Sequence, residues 1–396
     1  MATLKGKLDN CVNAACQWNG YLPLTGGLKL LLPLLMITMV LCKAIAQPGG
    51  EEEAARYYRM ADSLALQVKY QNDLIELSSK LTKPFADPLL KVRAIYAWIT
   101  HNIAYDYKAA NKDKEPKPIR CTTTNDCITK AENAAWQLSE KTARTGKAIC
   151  GGYAQLFAHL CQLANVPCQI VNGAVRTKPY QVGNNAPYNH AWNAVLLQNK
   201  WQFIDATWAA GVCVEDEETG KLTEFVKLKN DHYFLTPHYL LIKNHWPKDS
   251  IWQAYWPGWN RTRFNNQPFY YGGSHYIRYL EQLLPDSGLI STRVGTTIRL
   301  QFSYPFAIDK IQINTSLRRN PSIWVYDKKG KKTSQIDSLA LRRQVYWPYN
   351  KEGTLYTLDI PIPDRGLYWF EILFRYPNQI EPLPVLRYRV DAFEQK

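Results

Sequence analysis

Cys150 stands at the start of an apolar, helix-like stretch, "GKAICGGYAQLFAHLCQLANVP" (Gly146–Pro167), and two glycines follow it directly. Each glycine costs about 1 kcal/mol in a helix relative to alanine, so Gly151 and Gly152 indicate a purpose other than helix stability. A helix N-terminus lowers the pKa of a thiol, because its unpaired N–H groups favour the thiolate. The cysteine's own N–H can face a developing oxyanion, and glycines leave room for a substrate backbone. The stretch therefore predicts a cysteine nucleophile at position 150.

A nucleophilic thiol needs a base beside it, and the best-placed histidine is in "NHAWNAVLLQNKWQFIDATW". The alternating pattern of this stretch predicts a β-hairpin. A two-residue turn at Gln198 and Asn199 places His190 opposite Thr207, and puts Asp205 two positions away on the same face. An odd-length turn would put the two side chains on opposite faces. With an even turn, the hairpin predicts that Asp205 orients His190 as the general base.

The sequence predicts helices before Cys150 and a strand between the cysteine helix and the hairpin. Asp87 and Pro88 are typical of a helix start, and their apolar stripe predicts a helix over residues 87–103. A second helix is predicted from Ile128 to about Thr145, and the cysteine helix ends at residues 165–167. His159 falls on the face of that helix opposite Cys150 and is excluded as the base. "CQIVNGAV" then predicts a strand.

The strongly apolar run "LLLPLLMITMVLC" spans residues 30–42 and is flanked by lysines. It is shorter than the roughly 20 residues of a membrane span and has the length of a secretory h-region. "AIA" before Gln47 is typical of a signal peptidase site. We therefore expect residues 1–46 to be a signal peptide cleaved after Ala46, and the protein to be secreted or periplasmic. An uncleaved membrane anchor is the alternative.

Six cysteines remain after that cleavage, and an oxidising compartment favours pairing among them. Cys121 and Cys127 in "CTTTNDC" are close enough to pair. If Cys150 stays free, at least one other cysteine is unpaired. The cysteine spacings match no zinc pattern, and the sequence has no H-E-x-x-H motif. We therefore predict neither a cofactor nor a metal site.

The formal net charge is +14, and removing residues 1–46 takes away four lysines and one aspartate to leave +11. No segment has the pattern of a nucleic-acid-binding module, so no nucleic-acid partner is predicted. A basic exported chain fits an acidic protein or an anionic polymer of the cell envelope. Solubility alone explains the charge equally well. A membrane partner is expected only if the signal segment is not cleaved.

Short alternating strands separated by turn residues fill the chain from about Thr292 onward. They predict a β-sandwich of roughly 100 residues. The resulting division is a signal peptide (1–46), a helical segment (47–84), a core (85–260), a linker (261–291) and the sandwich (292–396).

Three separated blocks resemble the transglutaminase-like superfamily in its bacterial, secreted form, in the branch that resembles kyphoscoliosis peptidase. They are "GKAICGGYAQLFAHLCQLANVPCQIVNG", "NHAWNAVLLQNKWQFIDATWAAG" and "YFLTPHYLLIKNHWPKDSIWQAYW". The resemblance implies an α+β fold with a papain-like core and a C-terminal immunoglobulin-like sandwich. It also implies Cys150 as nucleophile, His190 as general base and acid, and Asp205 as the orienting carboxylate.

Two features depart from that pattern. Ala148-Ile149 precedes the cysteine where the family has Gly-Val, and no side-chain oxyanion donor is assigned, Trp98, Trp136 and Gln137 being candidates. No calcium loop is evident, since "EDEET" predicts a solvated turn. The block with His245 and Trp246 is expected to have a structural role and to pack against the core.

The resulting hypothesis is a secreted cysteine enzyme that uses this triad on peptide or glutamine amides. Hydrolysis is favoured, as in a peptidase or deamidase. Two alternatives stay open: a protein-crosslinking transglutaminase, and a non-catalytic envelope scaffold that binds proteins through the sandwich. An intact triad argues against the scaffold.

Overall fold

The computed structural model describes residues 48–112, 118–216, 219–271, 275–316, 322–326, 332–336, 346–363 and 365–394. The predicted signal peptide therefore lies outside the described residues. Among the residues described, no helix is long and apolar enough to cross a membrane. The chain divides into two compact units after Gln67.

The described part of the first unit is α1 (Pro48–Gln67). In the second unit, the helices of the described residues are α2 (Leu74–Thr82), α3 (Pro88–Asn102), α4 (Tyr107–Ala110), α5 (Thr124–Thr145), α6 (Cys150–Leu163), α7 (Ala206–Ala210), α8 (His238–Leu241), α9 (Ser250–Gln253) and α10 (Arg261–Asn266). Segment 47–84, predicted to be helical throughout, is interrupted over residues 68–73.

The strands that build the core are β1 (Ala104–Tyr105), β2 (Lys147–Ala148), β3 (Cys168–Val175), β4 (His190–Leu197), β5 (Lys200–Ile204), β6 (Gly211–Glu215), β7 (Leu222–Lys227) and β8 (His245–Pro247). An antiparallel sheet has the order β5-β4-β3-β8. Helix α6 contacts β3 and β4 and also α2, α3 and α5. The cysteine helix is therefore held between the sheet and the other helices.

The strands that follow are β9 (Phe269–Tyr270), β10 (Glu281–Leu284), β11 (Leu289–Arg293), β12 (Thr297–Ser303), β13 (Lys310–Thr315), β14 (Ser322–Tyr326), β15 (Lys332–Ile336), β16 (Tyr346–Trp347), β17 (Asn350–Glu352), β18 (Leu355–Pro361), β19 (Trp369–Arg375) and β20 (Leu383–Phe393). One sheet has the order β10-β12-β18-β17, and the other has the order β11-β20-β19-β13-β16, with β9 also pairing to β20. Side chains from both sheets form one buried core. This is the predicted C-terminal sandwich, and the α+β fold class is confirmed.

The boundary between core and sandwich differs from the predicted one. Residues 261–291, expected to be a linker, contain α10, β9, β10 and the start of β11. Strands β10 and β11 belong to the two sandwich sheets and β9 pairs with β20, so strands of the sandwich sheets occur before Thr292. These strands are short and carry few alternating apolar residues, which is why the pattern did not reveal them.

Local signals explain the helix ends near the site. The Asp87 carboxylate accepts from the N–H of Leu89, and Pro88 is the first residue of α3, as predicted. Gly146 ends α5 in the left-handed conformation, with φ of 61°. Cys121 and Cys127 form a disulfide, and Cys150, Cys161, Cys168 and Cys213 are free.

Candidate active site

Cys150 is the first residue of α6, where the sequence placed it. Ile149, the residue before the helix, provides no side-chain cap. The N–H groups of Gly152 and Tyr153 donate to the Ile149 oxygen, so the N–H groups of Cys150 and Gly151 are those left for a bound group. The Cys150 side chain is half-buried. Its Sγ–H donates to the backbone oxygen of Asn189 at 3.8 Å. The thiol therefore faces the residue that immediately precedes His190.

The two glycines after Cys150 have different roles. A Cβ at Gly152 would lie 2.6 Å from the Cβ of Ala148 and 2.8 Å from Oγ1 of Thr142. Gly152 is therefore required by packing, and the expectation that it opens the approach to the thiol is wrong. A Cβ at Gly151 would have no heavy atom within 4 Å. Only Gly151 leaves open space beside the nucleophile.

His190 is the first residue of β4, and the hairpin has the predicted register. Leu197 pairs with Lys200, and the turn residues Gln198 and Asn199 have φ of 51° and 59°. Two consecutive positive φ angles are typical of a type I′ turn, which joins strands with a two-residue loop. Strand β5 ends at Ile204, however, so no residue of the hairpin pairs with His190.

Asp205 leaves the sheet and caps α7. Its Oδ1 accepts from the backbone N–H of Thr207 at 2.8 Å and of Trp208 at 3.0 Å. The predicted geometry, in which Asp205 is a diagonal neighbour of His190 on an adjacent strand, is therefore wrong. The contact itself exists, since Nε2 of His190 donates to Oδ2 of Asp205 at 2.7 Å.

The histidine and the aspartate form a buried pair, with relative exposures of 8% and 1%. Because Nε2 of His190 is occupied by Asp205, Nδ1 is the ring nitrogen left for the thiol. His190 is close enough to Cys150 to lower the pKa of the thiol. The structure thus brings Cys150, His190 and Asp205 into one chain of contacts.

The charges of these three residues favour an ion pair between Cys150 and His190. Burial opposes ionisation of the Cys150 thiol, but the hydrogen bond and charge of His190 outweigh it and hold the pKa of the thiol below its ordinary value. Burial alone would lower the pKa of His190, yet the Asp205 charge and the hydrogen bonds to Asp205 and Cys150 raise it to about 10. Burial likewise opposes the Asp205 anion, but His190 and His245 hold its pKa well below the usual range. The shifts of Cys150 and His190 both favour a thiolate–imidazolium pair over the neutral pair.

His245 is the site residue that sequence reasoning missed. It was expected only to pack, but its Nε2 donates to Oδ2 of Asp205 at 3.0 Å. Strands β4 and β8 flank β3, where Gly173 pairs with His190 and Val175 pairs with His245. The two imidazoles therefore lie on one face of the sheet. A pairing between residues 175 and 245 leaves no signal in local sequence.

Aromatic rings enclose both imidazoles. Trp192 lies 6.0 Å from His190 and 5.0 Å from His245 between ring centroids, and Trp208 lies 5.8 Å and 4.8 Å from them. A Cβ at Gly173 would lie 2.4 Å from the Trp192 ring, so that glycine makes room for it. Low local polarity strengthens the hydrogen bonds to Asp205.

Two proposed oxyanion donors are already engaged elsewhere. The indole N–H of Trp98 donates to the Val68 oxygen at 2.9 Å, and that of Trp136 donates to Glu140 at 3.0 Å. Gln137 is exposed on α5. Tyr105, in contrast, pairs with Ala148 and is close enough to Cys150 and Asp205 for their charges, together with burial, to raise its pKa. Tyr105 is thus a neutral hydroxyl near the thiol.

Among the described residues, the group of side chains placed closely enough to hold a metal ion lies at the same site. Ligand atoms of His190, Asp205 and His245 lie within 4.8 Å of one another and are buried. In this arrangement the atoms are hydrogen-bonded to each other. Of the "EDEET" segment, Glu215 pairs with Lys178, and residues 217–218 lie outside the described part of the chain.

A cysteine at a helix N-terminus that faces a histidine on a β-sheet is the arrangement of the papain-like fold. Comparison with known proteins identifies the family to which this domain is similar. Residues 75–206 match the model of the transglutaminase-like superfamily. Residues 75–206 are therefore a transglutaminase-like domain.

Kyphoscoliosis peptidases of Mus musculus and Homo sapiens are each 32% identical to the chain over 277 residues, which is 65% of the chain. The chain spans only 38% of the length of these relatives. A crystal structure of a TGase is 22% identical and covers 38% of this chain and 32% of its own. Its TM-score is 0.22, too low to contribute to the argument.

Proposed function

We propose that the chain is a cysteine acyl-transfer enzyme in which Cys150, His190 and Asp205 act on amide bonds of peptides or glutamine side chains. The observation that carries the proposal is the placement of the Cys150 thiol, which contacts the oxygen of Asn189 directly before His190, next to a His190 ring that donates to the Asp205 carboxylate. Thiolate character and an aligned imidazole are what nucleophilic catalysis by cysteine requires.

Acylation begins with attack of the Cys150 thiolate on the amide carbonyl carbon. The carbonyl oxygen becomes an oxyanion beside the N-terminus of α6, where unpaired backbone N–H groups can stabilise it. Nδ1 of the His190 imidazolium then gives its proton to the amide nitrogen. The C–N bond breaks, the amine or ammonia departs, and a thioester on Cys150 remains.

Deacylation uses the same groups in reverse. The now neutral His190 takes a proton from water at Nδ1 while the water oxygen attacks the thioester carbon. The C–S bond breaks and releases a carboxylic acid, and the thiolate–imidazolium pair is restored. Asp205 remains ionised throughout and keeps Nε2 of His190 protonated.

Hydrolysis is the favoured outcome, because the relatives over most of the chain are named as peptidases. A lysine amine in place of water would make the same thioester a crosslinking intermediate. Open space at Gly151 supports entry of an extended peptide next to the thiol.

We also place the reaction outside the cytoplasm. The apolar run at residues 30–42 with small residues before Gln47 supports export, and so does the disulfide between Cys121 and Cys127. Expression of the full chain and sequencing of the mature N-terminus tests this part. A chain that begins at Gln47 agrees with it, and an exported chain that retains Met1 contradicts cleavage.

The reaction is tested by incubating the protein with a library of glutamine-containing peptides and a labelled amine. Mass spectrometry separates cleavage, deamidation and amine incorporation. We expect cleavage or deamidation, with a transient acyl adduct on Cys150. Amine incorporation as the main product would identify a crosslinking enzyme instead.

Cys150→Ala and Cys213→Ala form a matched pair of controls, since both cysteines are free and half-buried. Activity must disappear in the first variant and persist in the second. If neither variant differs from the wild type, or if no peptide is converted, the enzyme proposal fails and the scaffold hypothesis gains support.

A further inference from the structure

We propose that His245 is a positioning residue of the candidate active site, holding the Asp205 carboxylate in the orientation that aligns His190. This inference rests on the function proposed above. His245 lies 40 residues from Asp205 in sequence and is fully buried, with a relative exposure of 0%.

Both oxygens of the Asp205 carboxylate are held by hydrogen bonds. Oδ1 accepts from two backbone N–H groups of α7, and Oδ2 accepts from His190 and His245. A carboxylate held at Oδ1 alone can still turn its other oxygen away from His190. The second donor at Oδ2 opposes that rotation and satisfies the oxygen in a buried site, where an unpaired lone pair is costly.

His245 is itself held in place on its far side. Its Nδ1 lies 2.5 Å from Oδ1 of Asn244, and the Asn244 amide contacts the Tyr233 hydroxyl at 3.2 Å. Strand β8 fixes the backbone through its pairing with β3. Support from two directions is more than a ring that merely fills space requires.

The charge on the ring follows from its surroundings. The titratable groups facing His245 are Asp205, His190, Tyr233 and, across the Tyr233 ring, His232. Burial is the largest influence and lowers the pKa of His245, against the opposing effect of Asp205. A neutral ring protonated at Nε2 keeps its bond to Asp205 without competing for the carboxylate charge, which is left to His190.

A neutral His245 has one ring nitrogen that accepts. Turning the Asn244 amide by half a turn exchanges its oxygen and nitrogen, so that its NH₂ group donates to Nδ1. The Tyr233 hydroxyl then donates to the amide oxygen. The chain Tyr233–Asn244–His245–Asp205 is thereby fully satisfied.

The test measures the pH dependence of Cys150 alkylation by iodoacetamide in the full chain, because that midpoint reports thiolate formation independently of any substrate. We expect His245→Phe to move the midpoint up by about one pH unit, since a displaced Asp205 stabilises the imidazolium less. His245→Gln, whose amide can still donate to Asp205, should keep the midpoint close to that of the wild type. His232→Gln is the control, because this half-buried histidine contacts the Tyr233 ring rather than Asp205, and it should leave the midpoint unchanged.

Turnover provides a second readout. We expect His245→Phe to lower kcat roughly tenfold to a hundredfold with KM within about twofold, as for loss of a group that orients a catalytic residue. Should His245→Phe not fold, Asn244→Ala carries the test, with a smaller midpoint shift in the same direction expected.

The outcomes separate the two proposals. A low midpoint in the wild type that a folded His245→Phe or Asn244→Ala variant leaves unchanged overturns the positioning role alone. An ordinary thiol midpoint in the wild type overturns the proposed function, and the role of His245 with it.

Discussion

Asp205 connects three structural roles in a single side chain. It caps α7, accepts from His190 and accepts from His245. The first role fixes its backbone and one oxygen, and the second and third fix the other oxygen. A carboxylate satisfied by four donors stays ionised in a buried site, and that permanent charge keeps the histidine protonated.

Substitution Asp205→Asn tests this coupling through stability. The pKa of Asp205 is lowered by folding, so its contribution is present above its unfolded value and is lost as pH falls through the folded value. The pKa of His190 is raised to about 10, so its contribution is complete below about 6.5 and disappears as pH rises through 10. We therefore expect the difference in melting temperature between wild type and variant to be greatest between about pH 4 and 6.5 and to shrink toward pH 10.

Thermal scans across that pH range provide the measurement, with Asp231→Asn as the control. Asp231 pairs with the buried Arg93 at 2.8 Å far from His190 in sequence, and its side chain is half exposed. Because Asn also caps a helix, the α7 cap is kept in this variant. A pH-independent difference for Asp205→Asn would show that the lost ion pair is not what the variant changes.

Helix α6 shows how an element can be built for both packing and access. Gly152 faces Ala148 and Thr142 and lets the first turn lie close to β2 and α5, whereas Gly151 faces open space. Such division of roles between adjacent positions follows from helix geometry, since neighbouring residues point about 100° apart.

Gly151→Ala and Gly152→Ala are therefore expected to behave oppositely. Gly152→Ala overpacks the junction and should destabilise the protein by about 1–3 kcal/mol. Gly151→Ala should keep or slightly raise stability, by up to about 1 kcal/mol, but raise KM for peptide substrates, because the methyl group occupies the approach to the thiol. Denaturant unfolding and steady-state kinetics on both variants provide the check. Equal stability losses would contradict the distinction.

Sequence patterns predicted the elements whose signals are local. The register of the β4–β5 hairpin followed from the length of its turn, and the start of α3 followed from Asp87 and Pro88. The end of β5 at Ile204 was missed, although Asp205 three residues before Trp208 is a recognisable helix cap. His245 could not be found this way, because its place depends on strand pairing over 70 residues.

At the scale of the whole second unit, the segment between core and sandwich is paired to a sandwich sheet. Strand β9 pairs with β20, and Tyr271, just after β9, donates to Glu371 of β19. Arg387 also donates to Glu371 at 3.1 Å and lies over the Trp369 ring. The connecting segment is therefore fixed to the sandwich by side chains as well as by backbone.

Glu371→Leu should weaken this junction. The substitution leaves Arg387 and Tyr271 partly buried without their acceptor, which costs about 1–3 kcal/mol and lowers the melting temperature by several degrees. Asp359→Asn is the control, because its pair with Arg299 is exposed on the smaller sheet and should leave the melting temperature unchanged. If calorimetry shows the same change in melting temperature for both variants, the Glu371 contacts do not stabilise the junction as proposed.

The same segment supports the loop that leads into the candidate site. Arg261 of α10 donates to the Ala186 oxygen and lies 4.5 Å from the Tyr188 ring. Gly183 donates to the Asn265 oxygen at 2.9 Å. This loop ends at Asn189, the acceptor of the Cys150 thiol, and His190 follows directly. By holding this loop, α10 helps to fix the position of His190 relative to the thiol.

Arg261→Ala should therefore lower kcat/KM by roughly tenfold while changing the melting temperature little, since it loosens the loop that presents His190 and leaves the core intact. Arg263→Ala is the matched control from the same helix. Arg263 also lies over an aromatic ring, that of Trp259, and donates to a carbonyl, that of Gly258, but neither belongs to the loop. Kinetics and thermal unfolding on both variants distinguish the cases. If Arg263→Ala reduces activity as much, support of the loop by α10 is not what sets the geometry of the site.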